Sequence, residues 1–133
     1  MKNEDDSHLD GLAIGHYVVG GIAAFFACMP LIHMGIGIAV LSGIEMADDT
    51  GQPAPMWFGW LFFLIGLFAF LFGQAISVAI IFSGRFLKRR KHYMFSFVIA
   101  CIACAFMPFG TVLGVLTIIV LSRKSVKSLY GLS

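Results

Sequence analysis

The chain has 133 residues, of which 59% are apolar and only 12% are charged, and its net charge is +2. A soluble domain carries about 25% charged residues, and so small a domain leaves a large share of its surface exposed. With a mean hydropathy of +0.94, the composition excludes an ordinary water-soluble domain. It predicts one all-α domain, residues 1–133, in a lipid bilayer.

The N-terminal residues are polar and lead into the first apolar segment. Residues 1–7 are expected to be disordered. Ser7 followed by Asp10 forms a capping-box pattern, which predicts a helix start near His8. Residues 8–14 are amphipathic and are expected to lie at the inner membrane interface.

Four apolar spans follow in chain order. They cover about residues 15–43, 56–83, 93–107 and 111–121. The first is longer than the roughly 20 residues that cross the ~30 Å hydrocarbon core. Pro30 within it removes one backbone hydrogen bond, which predicts a kink. The pattern predicts an integral membrane four-helix bundle.

The loops between the spans differ in charge. The loop 45–55 is acidic and has no Lys or Arg, whereas the loop 85–92 is strongly basic. Basic loops stay on the cytoplasmic side of a membrane. We therefore expect 45–55 to be the outer loop, 85–92 to be the inner loop, and both termini to be cytoplasmic (N-in/C-in).

The inner loop carries five cations in seven residues. They are Arg85, Lys88, Arg89, Arg90 and Lys91. We interpret them as a topology determinant that also attracts anionic lipid headgroups. Nucleic-acid binding is not predicted, because the cluster is short and lies against the bilayer.

Small residues recur at helical spacing inside the spans. The second span has Gly59, Gly66 and Gly73 on one face, the first has Gly20, Ala24, Ala27 and Gly35, and the fourth has Gly114. Membrane helices associate through such small residues. The stripes are typical of packing within one bundle, and they also suit an interface with another protein or another copy.

Three polar side chains within the predicted spans are candidates for a functional role, namely His16, His33 and Gln74. A polar group in hydrocarbon needs a hydrogen-bond partner, so each is expected to bond within the bundle. The functional alternative is that Gln74, with Thr117 and the kink at Pro30, lines a small polar path.

The sequence also contains a set of soft metal ligands. The set consists of Cys28, Met29, His33, Cys101 and Cys104. Thiol, thioether and imidazole groups suit Cu(I). Cys and Met are also adaptable packing residues, and on that interpretation no cofactor is predicted.

Several segments resemble one protein family. They are HLDGLAIGHYVVGG near the N-terminus, PLIH at Pro30–His33, SGRFL before the basic cluster, and PFGTVLGVLTIIVLSRKSVKSL near the C-terminus. They resemble a family of small uncharacterised bacterial inner-membrane proteins over about residues 8–129. The resemblance implies a four-span bacterial membrane protein and implies no activity.

No catalytic group is predicted from the sequence. The spans contain no Asp or Glu, and the chain has no phosphate-binding glycine loop and no metalloprotease motif. We expect a non-enzymatic accessory, scaffold or oligomerising subunit of a bacterial inner membrane, with the bilayer and a membrane protein or second copy as partners. The alternatives are a small channel or transporter component and, third, a Cu(I) or redox site.

Overall fold

The structure is a computed structural model, and it describes residues 4–44, 53–106 and 108–132. These residues form α-helices and connections, without a strand among them. The helices are α1 Glu4–Phe26, α2 Pro30–Leu41, α3 Met56–Arg89, α4 Tyr93–Ala103, α5 Phe109–Ser122 and α6 Lys124–Leu129. The predicted all-α class is confirmed. Most of the predicted outer loop, residues 45–52, lies outside the described residues.

Two helical stretches in the described chain are long and apolar enough to span a membrane. They are α1 with α2, which together cover 38 residues, and α3 with 34 residues. Only 6% and 17% of their most apolar windows are buried, whereas the core helix of a soluble protein is mostly buried. The helices α4 and α5 are apolar but have only 11 and 14 residues.

The helix start predicted near His8 is wrong. Helix α1 already includes Glu4, so Ser7 lies inside the helix, and residues 4–7 are helical where disorder was expected. Acidic side chains in a first turn interact favourably with the positive end of the helix dipole. Asp5 and Asp6 also form ion pairs with distant arginines, which hold this turn in place.

The helical course is interrupted just before Pro30. Helix α1 ends at Phe26, residues 27–29 form a turn, and Pro30 begins α2. Proline suits a first helical position because its missing N–H needs no partner there. In an unbroken helix the Phe26 carbonyl would accept from the amide of residue 30, which proline lacks. It accepts from the Met29 amide instead, at 3.0 Å. The predicted kink is therefore present as a break in the helix.

Helix α3 continues past the predicted end of the second span. It ends at Arg89, so most of the predicted inner loop is the last helical turn. Lys and Arg are good helix formers and interact favourably with the carbonyl end of a helix. The connection to α4 is only three residues long, Arg90–His92.

The chain divides into two compact units. Unit 1 comprises Met1–Ile22 and Ser77–Ser133, and unit 2 is Ala23–Ile76. Unit 1 has a continuous apolar core, formed by Leu9, Leu12, Ala13, Leu87, Leu113, Val120, Leu121 and Val126. It contains parts of α1 and α3 together with α4, α5 and α6.

The described part of unit 2 has no comparable core. It consists of the end of α1, helix α2 and the first part of α3. Among its described residues, only Gly37, Gly59 and Gly66 are buried. The two helical segments touch along a glycine seam, and none of their large side chains in the described residues is buried.

Candidate functional site

Charged groups collect at one end of unit 1. The Arg90 guanidinium pairs with Asp6, and the Arg123 guanidinium lies 3.3 Å from a carboxylate oxygen of Asp5. These pairs bring the start of α1 to the ends of α3 and α5. A hydrogen bond from Ser125, followed by the contacts with Arg123, holds the pKa of Asp5 below its ordinary value of 3.8, although partial burial opposes this.

Arg90 has a structural role at the end of α3. The Lys91 amide donates to the Phe86 carbonyl at 3.1 Å and the Arg90 amide to the Leu87 carbonyl at 3.2 Å, which forms a Schellman motif. The motif requires a left-handed residue, and Arg90 has a φ of 50°. Such a conformation costs a non-glycine residue about 1–2 kcal/mol, and the ion pair with Asp6 compensates part of this cost.

The other cations of the basic cluster face two separate open clefts. One cleft, of about 450 Å³, is lined by Tyr17, Arg85, Lys88 and Arg89. The three cations are exposed, and within the described chain none of them has an ion pair. The predicted headgroup-binding set is thus divided, because Arg90 is engaged by Asp6.

The second cleft is larger and mostly apolar. It has a volume of about 680 Å³, and its lining includes Lys91, Tyr93, Phe95 and Tyr130. The Tyr93 hydroxyl donates to the Leu121 carbonyl at 2.9 Å, whereas the buried Tyr130 hydroxyl has no partner among the described residues. Burial raises the pKa of Tyr130 to about 12, against a smaller opposing effect of Arg90.

The glycines of the second span pack against the same chain. A Cβ placed on Gly59 would lie 3.2 Å from the Gly37 carbonyl oxygen, and one on Gly66 would lie 2.7 Å from the Met34 amide nitrogen. A Cβ on Gly73 would lie 2.8 Å from the Ala27 Cβ. Within unit 2 this stripe is therefore covered by α2 and the turn before it.

On the first predicted span, the glycine of α2 that packs against α3 is not the predicted one. A Cβ added to Gly35 would have no atom of the described chain within 4 Å, whereas one added to Gly37 would lie 2.5 Å from the Phe63 amide nitrogen. Gly35 therefore makes no close contact with the described part of the chain, and Gly37 provides the contact with α3.

Gly20 and Gly114 mark close helix contacts inside unit 1. A Cβ on Gly20 would lie 3.3 Å from the Ser77 carbonyl oxygen of α3. A Cβ on Gly114 would collide with the Ala100 carbonyl and with the Cys104 sulfur of the α4–α5 hairpin. At both glycines, two helices of the same chain pack closely against each other.

Gln74 is bonded within unit 2. Its side-chain amide donates to the Ala24 carbonyl at 3.2 Å and to the Cys28 sulfur at 3.4 Å. The Cys28 thiol donates in turn to the same carbonyl at 3.4 Å. Gln74 thereby fastens α3 to the end of α1, next to the turn that precedes Pro30.

The predicted soft ligands fall into both units. Cys28, Met29 and His33 belong to unit 2, where the His33 ring stacks on Phe62 with centroids 5.9 Å apart. Cys101 and Cys104 belong to unit 1, on and just after α4. Among the described residues there is no group of three or more His, Cys, Asp or Glu side chains arranged for a metal ion.

His16 is one of the fully buried polar residues of unit 1. Helices α1, α3, α4 and α5 each contribute a fully buried polar residue, namely His16, Ser83, Ser96 and Thr117. His16 Nδ1–H donates to the Leu12 carbonyl at 2.9 Å, and the Thr117 hydroxyl bonds to the Leu113 carbonyl. In the part of the chain that the structure describes, His16 Nε2, Ser83 Oγ and Ser96 Oγ have no partner.

Sequence reasoning missed several of these positions. Asp5 and Asp6 were grouped with a disordered polar end, although their sign complements the basic cluster. Tyr17 has no functional signal in the sequence, and its place beside the cations depends on how α1 packs on α3. Tyr130 carried no local signal.

We compared the chain with protein-family models, with curated proteins and with solved structures. None of them matches it. The resemblance to a bacterial four-span family therefore stays a prediction.

Proposed function

We propose that this chain is an integral protein of a bacterial inner membrane that acts, without catalysis, as an accessory, scaffold or oligomerising subunit. The observation that carries the proposal is the helix pair of unit 2. Its described residues bury only three glycines, while large side chains such as Phe68 and Phe72 are 75% and 61% exposed. Water would penalise this surface heavily, so lipid and a partner protein are its natural surroundings.

The charged end of unit 1 supports an N-in/C-in topology. The start of α1, the end of α3 and the end of α5 meet there through the pairs Asp6–Arg90 and Asp5–Arg123. Because this end carries the Lys and Arg residues, the positive-inside rule assigns it to the cytoplasmic face.

The short helices α4 and α5 refine the four-span prediction. With 11 and 14 residues, they extend roughly 16 and 21 Å at about 1.5 Å per residue, short of a ~30 Å hydrocarbon core. We propose that this hairpin inserts from the cytoplasmic side and stops before the outer interface. Both termini remain cytoplasmic whether or not it crosses completely.

Cysteine labelling in intact cells tests this topology. In a variant whose native cysteines are replaced by alanine, Phe109→Cys places a thiol at the start of α5, beside the hairpin turn. An inserted hairpin leaves this thiol unlabelled by an impermeant maleimide added outside, whereas complete crossing exposes it. Leu132→Cys is the control for the inner side, which must be labelled only after the cells are opened.

Site-specific photocrosslinking tests the interaction role. A photoreactive phenylalanine analogue at Phe68 should give one defined protein adduct, either a second copy or a single partner. The matched control is the same analogue at Val112 of α5, which is 61% exposed but belongs to unit 1. Lipid adducts alone at both positions, together with a monomeric mass in native mass spectrometry, would refute the interaction role.

A small channel or transporter component is the second candidate. The observation that favours it is the set of buried polar residues in unit 1, among which His16 Nε2 and two serine hydroxyls have no partner within the described ranges. If these residues line a conducting path, proton or solute flux in liposomes should disappear in Ser96→Ala. Flux that is absent from the unaltered protein would end this alternative.

A further inference from the structure

The largest group of unpaired cations in the described chain lies beside an aromatic side chain of α1. Arg85, Lys88 and Arg89 line the 450 Å³ cleft together with Tyr17. The acidic side chains that form ion pairs at this end, Asp5 and Asp6, are engaged by arginines outside this cleft. The residues that line the cleft thus include three positive charges and no acidic side chain.

Close packing of α1 on α3 holds Tyr17 at this place. A Cβ on Gly84 would lie 2.9 Å from both the Ala13 carbonyl oxygen and the His16 Cβ, and 3.6 Å from Cε1 of the Tyr17 ring. Only a glycine allows this approach. The tyrosine ring thus lies against α3 just before Arg85, and its hydroxyl is a hydrogen-bond donor for an anion.

An apolar strip continues from the cations along α3. Val78, Phe82, Arg85 and Arg89 follow at spacings of three or four residues, which places them on one helix face. Val78 and Phe82 are each 47% exposed. The strip is apolar along the helix and cationic at its end, which matches an acyl chain followed by a charged headgroup.

We propose that Tyr17, Arg85, Lys88 and Arg89 form a binding site for the phosphate headgroup of an anionic phospholipid, whose acyl chain lies along Val78 and Phe82. Arg and Lys bind phosphate oxygens through charge-assisted hydrogen bonds. The apolar strip favours a lipid over free phosphate. This inference rests on the proposed membrane location but needs no protein partner.

Lipid titration followed by native mass spectrometry tests the site. The detergent-purified full chain is titrated with dioleoyl phosphatidic acid, with dioleoyl phosphatidylcholine as the zwitterionic comparison. We expect one phosphatidic acid to bind preferentially. Each cation near a membrane surface contributes about 1 kcal/mol of attraction to anionic lipid, so Lys88→Gln and Arg89→Gln should each weaken binding about fivefold.

Two variants control for general charge. Lys91→Gln removes one charge from the neighbouring cleft, and Lys124→Gln removes an exposed charge from α6. Both should leave phosphatidic acid binding unchanged. Tyr17→Phe should weaken it by a few fold through loss of one hydrogen bond.

Three outcomes would overturn the proposal. Equal binding of the two lipids would remove the anionic preference, and equal loss in Lys88→Gln and Lys91→Gln would show attraction by net charge alone. Competition by inorganic phosphate at the same concentration would assign the site to a soluble anion. Failure of the chain to resist carbonate extraction from membranes would instead refute the membrane location, independently of the lipid titration.

Discussion

The glycine seam of unit 2 gives a sharp test of the fold, because two glycines of α2 differ completely in their surroundings. A Cβ on Gly37 would lie 2.5 Å from the Phe63 amide nitrogen, 2.7 Å from the Gly59 carbonyl oxygen and 2.9 Å from the Phe63 Cα. All three are backbone atoms, so α2 and α3 must move apart. A Cβ on Gly35 would meet no atom of the described residues within 4 Å.

The comparison of Gly37→Ala with Gly35→Ala isolates the helix contact. Alanine favours a helix over glycine by about 1 kcal/mol, and this gain applies to both variants. Overpacking of a close contact costs about 1–3 kcal/mol. We therefore expect Gly37→Ala to be less stable than Gly35→Ala by about 1–3 kcal/mol, and Gly35→Ala to be at least as stable as the unaltered chain.

Equilibrium unfolding in mixed micelles, followed by the fluorescence of Trp57 and Trp60 near the seam, measures this difference. These tryptophans lie in the first turns of α3, within unit 2. Equal unfolding free energies for the two variants would refute the contact between α2 and α3. A destabilised Gly35→Ala would show that the other glycine of α2 faces the seam.

Two further predictions concern polar contacts. The pKa of Asp5 is lowered in the folded chain, so its contribution to stability is present above pH 3.8 and is lost as the pH falls through the folded pKa. Ser125→Ala should move this pKa back towards 3.8 in a carboxyl carbon NMR titration, and an unchanged pKa would contradict the assigned hydrogen bond. Gln74→Leu removes the donor to the Ala24 carbonyl and should lower the unfolding free energy by about 0.6–1.7 kcal/mol; no loss in micelle unfolding would show that the bond contributes nothing.

The position of Arg90 shows how local and tertiary effects combine. Gly43 and Gly131 occupy the equivalent left-handed positions after α2 and α6, with φ of 73° and 71°. Glycine accepts this conformation without strain. At the end of α3 an arginine stands there instead, and its ion pair with Asp6 is a contact between residues 84 positions apart.

The amino-acid sequence by itself determined the helical class, the two long apolar stretches and the break before Pro30. These features depend on neighbouring residues alone: apolar composition over successive turns, and the missing amide of a proline. The helix ends were less accurate. At Glu4 and Arg89 the chain continues as helix, because end charges complement the helix dipole where a polar sequence alone suggested loops.

Only the tertiary structure decided which side chains meet. The contact of Gly37 rather than Gly35 with α3 depends on how these two helices pack, and the pairing of Asp5 with Arg123 joins residues 118 positions apart. Spacing along one helix cannot report either contact, because each depends on how two helices are packed. The division of the basic cluster, with Arg90 bound to Asp6 and Arg85 left facing a cleft beside Tyr17, has the same physical origin.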